Sequence, residues 1–381
     1  MTAYLDNAAT TKVCTEAAEA AFNIMTQGYG NPSSTHKMGR DAKAILDESR
    51  AKLAKALGAK PEEIFFTSSG SESDNWAILS GAEFMKRRGN HIISSMTEHS
   101  AVLKSLEVLE KRGFEVTRLK PESDGSISVQ AVMDALRKDT ILVSLMLVNN
   151  ETGGITNISE ISKALKKSGS AALLHTDAVQ GFLKVPFSVK TLGADLVSVS
   201  GHKIHAPKGI GALYIKGGVK ALNLPALIVG GGQEFGKRAG TEALPQIAAF
   251  AKAAELGSRL FEESQRKMNE LKELASKRLL SENEGLFVLS SDAPHILSIS
   301  LPSYKSEVVM NYLDALGIYI SKSSACKKGG RSYVLEAIGL PNAYIDGALR
   351  ISFSRFTSED EVNSLCDGIK DARAKLYTVL R

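Results

Sequence analysis

The chain has 381 residues, of which 43% are hydrophobic and 23% charged, with a formal net charge of +5. This composition is typical of a globular protein and excludes a disordered chain or a fibrous repeat, while the length predicts about two domains. Three cysteines (Cys14, Cys326 and Cys366) are too few for a disulfide framework and favour a reducing compartment. Because the apolar runs are too short to span a bilayer and no secretory signal is visible, we expect a cytoplasmic protein without a membrane partner. The mild charge does not indicate direct binding to nucleic acid.

Strand-like and helix-like patterns alternate along the first part of the chain, after a loop-rich stretch (1–35) and an amphipathic helix (39–57). Short apolar or β-branched runs, each predicted to be a strand, occur at residues 64–67, 91–95, 114–119, 141–148, 172–176, 196–200 and 211–215. Helical patterns lie between several of them, at residues 72–88, 101–111, 129–137 and 158–167. This alternation predicts a mainly parallel sheet covered by helices on both faces, with ligands bound beyond the carboxyl ends of the strands.

The remainder of the chain is organised differently. A glycine-rich stretch (230–241) precedes a long helical pattern from Pro245 to about Leu280, and mixed strand and helix patterns follow. We therefore predict a large α/β domain over residues 16–255 and a smaller α+β C-terminal domain over residues 256–381 that carries Cys326. The N-terminal segment, residues 1–15, is predicted to pack with the small domain.

One candidate site follows the first predicted strand of the sheet. Ser68, Ser69, Gly70 and Ser71 stand directly before a helix, where free backbone N–H groups and hydroxyls can hold an anion, most often a phosphate. The same residues fit a plain helix N-cap, with Ser69 or Ser71 as the capping residue. The two interpretations are equally good from this motif alone.

A second candidate site is formed by residues at two later strand ends. Asp177 and Gln180 follow one predicted strand, and Lys203 follows another. A pair of solvated loops would explain them, but a lysine amine that makes a Schiff base and a carboxylate that keeps a pyridine nitrogen protonated are what pyridoxal 5′-phosphate (PLP) chemistry needs. A phosphate loop, an acid and a lysine in this order therefore favour a PLP site.

Motifs along nearly the whole chain carry a specific resemblance. The chain resembles the cysteine desulfurases of the class V aminotransferase group, within the fold-type I PLP-dependent enzymes. The matching segments are residues 4–11 (YLDNAATT), 30–34 (GNPSS) with His36, 66–72 (FTSSGSE), 97–99 (TEH), 148–153 (VNNETG), 175–180 (HTDAVQ), 200–203 (SGHK), 230–241 (GGGQEFGKRAGT) and 324–326 (SAC). The resemblance implies the fold of that group, a large domain with a mainly parallel sheet and a smaller C-terminal domain.

The resemblance also implies a role for each matching cofactor residue. Lys203 would bind PLP covalently and move the Cα proton, Asp177 would pair with the pyridine nitrogen, and Gln180 would bind the phenolic oxygen. His99 would stack on the ring and assist proton transfer. The phosphate would be held by Gly70, Ser71, Ser200 and His202, and by Thr241 of the neighbouring subunit, which implies a homodimer.

The same resemblance implies the substrate, L-cysteine, and its binding residues. Asn31 and Asn150 match positions that hold substrate or cofactor, and Arg355 matches one that holds the substrate carboxylate, a task that suits a planar guanidinium. Cys326 would attack the substrate sulfur as a thiolate, keep it as a persulfide and leave L-alanine. Lys327, Lys328 and Arg331 would favour the thiolate.

Several interpretations stay open from the sequence. The persulfide would pass to an acceptor protein, such as an iron–sulfur scaffold or a tRNA-thiolation protein, and the sequence does not name it. The alternatives are a selenocysteine lyase, another class V aminotransferase or lyase that uses Lys203 without a persulfide, and a sulfur-pathway scaffold that has lost catalysis. No metal site is expected, because no Asp or Cys completes the pair formed by His202 and His205.

Overall fold

The computed structural model describes residues 2–289, 291–322 and 330–378, so Cys326 lies outside the described residues. The strands within these ranges are β1 (Ala3–Tyr4), β2 (Ile64–Thr67), β3 (His91–Ser95), β4 (Glu115–Leu119), β5 (Thr140–Ser144), β6 (Leu173–Asp177), β7 (Leu196–Ser200), β8 (Gly211–Ile215), β9 (Phe287–Leu289), β10 (Ile296–Ser300), β11 (Ile318–Tyr319), β12 (Ser321–Lys322) and β13 (Ala348–Ser352).

Helices occupy most of the remaining described chain. They are α1 (Thr15–Thr26), α2 (Lys37–Leu57), α3 (Gly70–Asn75), α4 (Gly81–Met85), α5 (Ser100–Lys111), α6 (Val129–Ala135), α7 (Ile158–Lys167), α8 (Val189–Leu192), α9 (Gly218–Ala221), α10 (Gln233–Gly236), α11 (Leu244–Arg259), α12 (Phe261–Glu282), α13 (Ser306–Ala315), α14 (Tyr333–Ile338), α15 (Asn342–Asp346) and α16 (Glu359–Lys375). A π-helical turn, Trp76–Ser80, joins α3 to α4, and a 3₁₀ turn, Gly201–Lys203, follows β7.

The main sheet has seven strands in the order β2-β8-β7-β6-β5-β3-β4. All neighbouring pairs are parallel except those of β8, which runs antiparallel to both β2 and β7. The prediction of an α/β protein with a mainly parallel sheet is confirmed. The pairing also brings the ends of β6 and β7, where Asp177 and Ser200 lie, to the same edge of the sheet.

Both faces of this sheet are buried because the strands carry apolar residues at consecutive positions. Side chains alternate between the faces of a strand. Accordingly Leu173 and Leu196 pack into one core, whereas their neighbours Leu174 and Val197 pack into another on the opposite face. A strand that is apolar at every position therefore needs helices on both sides, and the central strands have them.

The C-terminal part of the chain forms a second, antiparallel sheet in the order β12-β13-β10-β9. Its strands share a separate core with α12, α13 and α16, to which Leu365 and the buried Cys366 belong. The N-terminal strand β1 pairs in parallel with β11, and Ala3 and Leu5 enter the same core. These contacts support our proposed division into residues 1–15, 16–255 and 256–381, which stays a proposal.

Two helical predictions differ from the structure. The loop-rich N-terminal stretch contains α1, whose residues Ala17 and Ala21 are buried against the main core. The long helical pattern after Pro245 is two helices, α11 and α12, because the chain leaves helical geometry at Leu260 (φ −98°, ψ 12°). The first of the pair packs with the main core and the second with the C-terminal core, so the break accompanies a change of packing partner.

Candidate active site

A cavity of about 260 Å³ lies at the carboxyl ends of β6 and β7. It is closed on other sides by the beginning of α3, the residue before α5, and the N-terminal residues Ala8 and Ala9. Most of the predicted cofactor residues line it, namely Gly70, Ser71, His99, Asn150, Asp177, Gln180, Ser200, His202 and Lys203. The structure therefore brings together side chains that are up to 133 residues apart between Gly70 and Lys203.

Lys203 is positioned by the N-terminal segment of the chain. It ends the 3₁₀ turn after β7, and its Nζ donates hydrogen bonds to the carbonyl oxygens of Ala8 (2.6 Å) and Ala9 (2.7 Å). The Gln180 amide also donates to the Ala8 carbonyl, at 2.8 Å. Because the Ala8 carbonyl accepts hydrogen bonds from both side chains, the amine of Lys203 and the amide of Gln180 lie on the same wall of the cavity.

Asp177 is the buried acid at the end of β6. Its side chain is 6% exposed, and its Oδ1 accepts a hydrogen bond from the backbone N–H of Val179 at 2.9 Å. Burial raises the pKa of this carboxyl, while the nearby His99 and Lys203 act in the opposite direction. A cationic partner at the cavity face would therefore be needed to stabilise the ionised form fully.

A second buried acid, Asp74, lines the same cavity as Asp177 and was not found from the sequence. Burial, and then the charge of Asp177, raise the pKa of Asp74 well above its usual value. Its Oδ1 lies 3.6 Å from Nε2 of His175, whose own pKa burial lowers to about 3. His175 is thus neutral, held by hydrogen bonds to Ser144 (2.8 Å) and Ser198 (3.0 Å). Asp74 sits inside a helical pattern, where the sequence gives no sign of its burial.

The polar wall has unsatisfied atoms that suit an anionic ligand. Ser200 Oγ and Arg350 Nε are buried, can donate hydrogen bonds and have no partner among the described residues, whereas the equally unpartnered Asn150 Oδ1 can only accept one. Ser69 caps α3 by accepting from the N–H of Glu72 at 3.2 Å, so the capping interpretation holds alongside the cavity-lining one. A Cβ at position 70 would lie 2.6 Å from Val179 Cγ2, so glycine leaves room there.

His99 and His202 complete the cavity walls. His99 is the N-cap of α5, and its Nδ1 accepts a hydrogen bond from the N–H of Ala101 at 3.2 Å. His202 Nδ1 lies 3.2 Å from Thr10 Oγ1. Burial, followed by the positive charges of Lys203 and its other basic neighbours, lowers the pKa of His202 to about 4. The neutral ring leaves His202 able to donate one hydrogen bond without adding charge.

Arg350 is a cavity-lining residue that the sequence analysis did not single out. It lies inside β13, is 2% exposed and lines the cavity. Its Nη1 donates to the Asn150 carbonyl at 2.9 Å and its Nη2 to Asp6 Oδ1 at 2.9 Å. An arginine within an apolar strand is itself a signal, because burying a guanidinium without a partner is costly.

The structure places three predicted residues outside this cavity. Arg355 lies beyond the end of β13, over the Phe356 ring at 4.9 Å, and lines a separate cavity. Asn31 accepts from the N–H of Ser33 at 2.9 Å in an exposed turn, and Thr241 is exposed after Gly240. The structure thus does not bring Arg355 to this cavity, whereas Arg350, within β13, lines it.

Ser332 and Tyr333 form hydrogen bonds with loops that border the cavity. Ser332 Oγ donates to Glu151 Oε2 at 2.5 Å, and the Tyr333 hydroxyl donates to the Glu98 carbonyl at 2.6 Å. Burial raises the pKa of Glu151 to about 7, so the carboxyl is largely protonated below neutral pH. These bonds attach the beginning of α14 to the loops that carry Asn150 and His99.

Within residues 2–289, 291–322 and 330–378, no three His, Cys, Asp or Glu side chains come together as metal ligands would. In the same ranges, no helix combines the length and apolar character needed to cross a bilayer.

Comparisons with known proteins agree with this geometry. The aminotransferase class-V family model matches residues 3–365. The cysteine desulfurase IscS of Methanosarcina thermophila is 41% identical over 384 aligned positions, covering 98% of this chain and 92% of the relative. A solved NifS-like protein superimposes with a TM-score of 0.93 at 36% identity, covering 99% of this chain and all of that one. A structure described as SspA in complex with cysteine gives a TM-score of 0.82 at 32% identity, covering 94% of this chain and all of that one. The chain therefore belongs to the class-V aminotransferase family, and within it to the cysteine desulfurases.

Proposed function

We propose that this protein, a PLP-dependent cysteine desulfurase, moves the sulfur of L-cysteine onto Cys326 and passes it on as a persulfide. The main observation in support of this proposal is that Lys203, Asp177 and His99 line the same cavity. The reaction balances as L-cysteine plus the Cys326 thiol giving L-alanine plus the Cys326 persulfide. The substrate C–S bond breaks, and an S–S bond forms.

Different residues of the cavity would bind different groups of PLP. Ser71, Ser200 and His202 would hold the phosphate, and Asp177 would pair with the pyridine nitrogen. Gln180 would bind the phenolic oxygen, as the family resemblance implies. When bound, PLP supplies an electron sink for charge that develops at the substrate Cα. The unpartnered hydroxyl of Ser200 and the buried carboxyl of Asp177 support this fit.

Proton transfer is proposed for the chain's own amine and imidazole. Lys203 Nζ, oriented by the carbonyls of Ala8 and Ala9, would carry the Cα proton. His99 Nδ1 is engaged by a backbone N–H, so the ring presents its Nε2 edge as the proton donor. The apolar Met146 and Val148 on the same wall would limit water around the reacting atoms.

Arg350 is proposed to bind the substrate carboxylate in place of Arg355. Its guanidinium lines the cavity with a buried Nε that has no partner among the described residues. It is already oriented by Asp6 and by the Asn150 carbonyl. A fixed guanidinium of this kind binds a carboxylate through charge-assisted hydrogen bonds.

The substitution Arg350→Lys is expected to raise the KM for L-cysteine roughly tenfold to a hundredfold, because one charge-assisted contact contributes about 1.5–3 kcal/mol. Lysine keeps the charge but loses the planar geometry. Alanine formation at varied L-cysteine concentration measures the change, and a melting curve checks the fold. The matched control is Arg355→Lys, which we expect to leave KM near its original value. A raised KM in the control alone would contradict the proposal.

A homodimer is proposed, in which Thr241 contributes to the phosphate site of the neighbouring subunit. Thr241 is exposed and does not line the cavity of its own chain. Large apolar side chains are also exposed, with Phe22 60%, Tyr29 69% and Val229 82% accessible. Exposed apolar groups of this size favour a covered surface.

The sulfur acceptor is proposed to be another protein, such as an iron–sulfur scaffold or a tRNA-thiolation protein, in the cytoplasm. The described chain on either side of the Cys326 segment, at Lys322 and Gly330, lines a cavity of about 380 Å³. Lys305 and Arg331 give this surface positive charge, although Asp346 pairs with both. An acceptor would therefore approach on this side of the molecule.

The decisive experiment is mass spectrometry of the Cys326 peptide after incubation with L-cysteine. We expect the peptide to gain the mass of one sulfur atom while alanine is formed. The control Cys326→Ser should keep the visible absorbance of bound cofactor and release no sulfide. Undiminished sulfide release by this variant would instead favour a lyase that uses Lys203 without a persulfide.

A further inference from the structure

A second, much smaller cavity lies where the main sheet and the C-terminal sheet meet. Its volume is about 20 Å³, and its wall includes Lys184, His205, Ser264, Ser354 and Arg355. Lys184 follows β6 from the main sheet, whereas Arg355 follows β13 from the C-terminal sheet. The cavity therefore places two cationic side chains from different parts of the fold next to each other.

Lys184 is a buried lysine whose charged neighbours are cations. Its residue is 5% exposed, and none of the described residues forms a hydrogen bond or an ion pair with its ammonium group. Burial, and then the positive charges of Lys203 and Arg355, lower the pKa of Lys184 to about 7. An ammonium ion at this depth without a partner is costly, since buried charges in proteins are normally paired.

Arg355 does not supply the missing negative charge and itself lacks a close carboxylate. Its guanidinium lies over the Phe356 ring, and its polar partner is the sulfur of Cys14. The acid that acts on it, Glu16, is exposed and so weakly coupled. A further cation, Lys267, donates to the Arg355 backbone carbonyl at 2.9 Å.

The two serine side chains of the wall can donate hydrogen bonds into the cavity. Ser354 Oγ accepts from the N–H of Phe356 at 3.2 Å, which leaves its own hydroxyl proton available. Ser264 adds a second hydroxyl. His205 Nδ1 lies 2.9 Å from the Lys12 carbonyl, and burial with the nearby Arg355 and Lys184 lowers the pKa of His205 to about 3. The wall thus offers two cations and two hydroxyl donors.

The size of the cavity limits what it can hold. A single water needs roughly 10–15 Å³ of such volume, so 20 Å³ has room for one small ion or one water. We propose that this cavity is a binding site for one halide-sized inorganic anion, which pairs with Lys184 and Arg355 and joins the two sheets. The site is separate from the Lys203 cavity, so the proposal does not depend on the proposed function.

Bromide provides a direct test, because it scatters anomalously and is similar in size to chloride. Crystals of the PLP-loaded protein grown in bromide are expected to show an anomalous peak in contact with both Lys184 and Arg355. A cavity with no anomalous peak would overturn the proposal, and Lys184 would then be buried in its neutral form.

A solution measurement tests the same site independently. At equal ionic strength, chloride in place of gluconate is expected to raise the melting temperature by roughly 2 °C or more, since an anion that binds only the folded state stabilises it. Lys184→Met should lose this increase, whereas Lys190→Met, which removes an exposed charge from α8, should keep it. An unchanged chloride effect in Lys184→Met would exclude the site; if that variant does not fold, the bromide experiment on the unmodified protein still decides.

Discussion

Replacing Lys203 with alanine is expected to abolish alanine formation from L-cysteine and to remove the visible absorbance of covalently bound PLP. Within the described part of the chain, Lys203 is the one lysine that lines the cavity. Among these described residues, no other side-chain amine lines the cavity to bond the cofactor aldehyde or take up the Cα proton. PLP is still expected to bind without a covalent bond, because Asp177, Ser200 and His202 remain. Absorption spectra and cofactor content after gel filtration measure the two effects separately.

The Lys203 experiment needs variants that separate loss of the amine from loss of packing. Lys203→Met fills the same space and should behave like the alanine variant. Lys216→Ala is a matched control, since Lys216 pairs with Asp195 at the opposite edge of the sheet, 3.1 Å away. It should keep both absorbance and activity. Retention of the visible absorbance by Lys203→Met would assign the covalent bond to another residue.

Asp177→Asn is expected to lower kcat roughly 10²- to 10⁴-fold, because removing one partner of a buried ion pair costs about 3–5 kcal/mol. Asparagine keeps the size of the side chain and the hydrogen bond from the N–H of Val179. It removes only the negative charge that would stabilise a protonated pyridine nitrogen. The rate of alanine formation at saturating L-cysteine measures the loss, with Asp195→Asn as the control at the far edge of the sheet.

The substitution Asp177→Asn, which lowers activity, is not expected to lower the stability of the folded protein. Since burial raises the folded-state pKa of Asp177 above its unfolded value, the unfolded chain loses its proton first as the pH rises. The contribution of Asp177 to stability is therefore complete below the unfolded pKa and falls as the pH rises through the folded one. The apoprotein of Asp177→Asn escapes this fall and should melt at the same temperature or higher near neutral pH. A lower melting temperature there would show that lost activity reflects a damaged fold.

Strands and strand ends were predictable because their signals are local. The apolar runs of β6 and β7 are buried on both faces, and the rule that ligands bind beyond carboxyl ends located Asp177 and Lys203. Helix ends were less predictable, as the break at Leu260 shows. The break depends on the core against which each helix packs. The residues of those cores are distant in sequence, so the local pattern does not show the break.

The apolar strand pattern marks Arg350 as unusual, but the sequence alone does not show that Arg350 rather than Arg355 faces the cavity. Both lie near the end of the same strand, five residues apart. Which one faces the cavity depends on the pairing of β13 with β10 and on where the chain leaves the strand. Asp74 and Glu151 were missed for a similar reason, since burial of an acid follows from tertiary packing rather than from local pattern.

The N-terminal segment has a consequence for the order in which the molecule assembles. Its strand pairs with Ile318 and Tyr319, and Asp6 bonds Arg350, more than 300 residues later in the chain. At synthesis rates of about 5–20 residues per second, the first residues wait roughly 17–70 s for these partners to be made. Contacts of such long sequence separation also form slowly. The part of the cavity wall that Arg350 forms with Asp6 is thus completed only after Arg350 has been translated, so a fully formed cavity is a late product of folding.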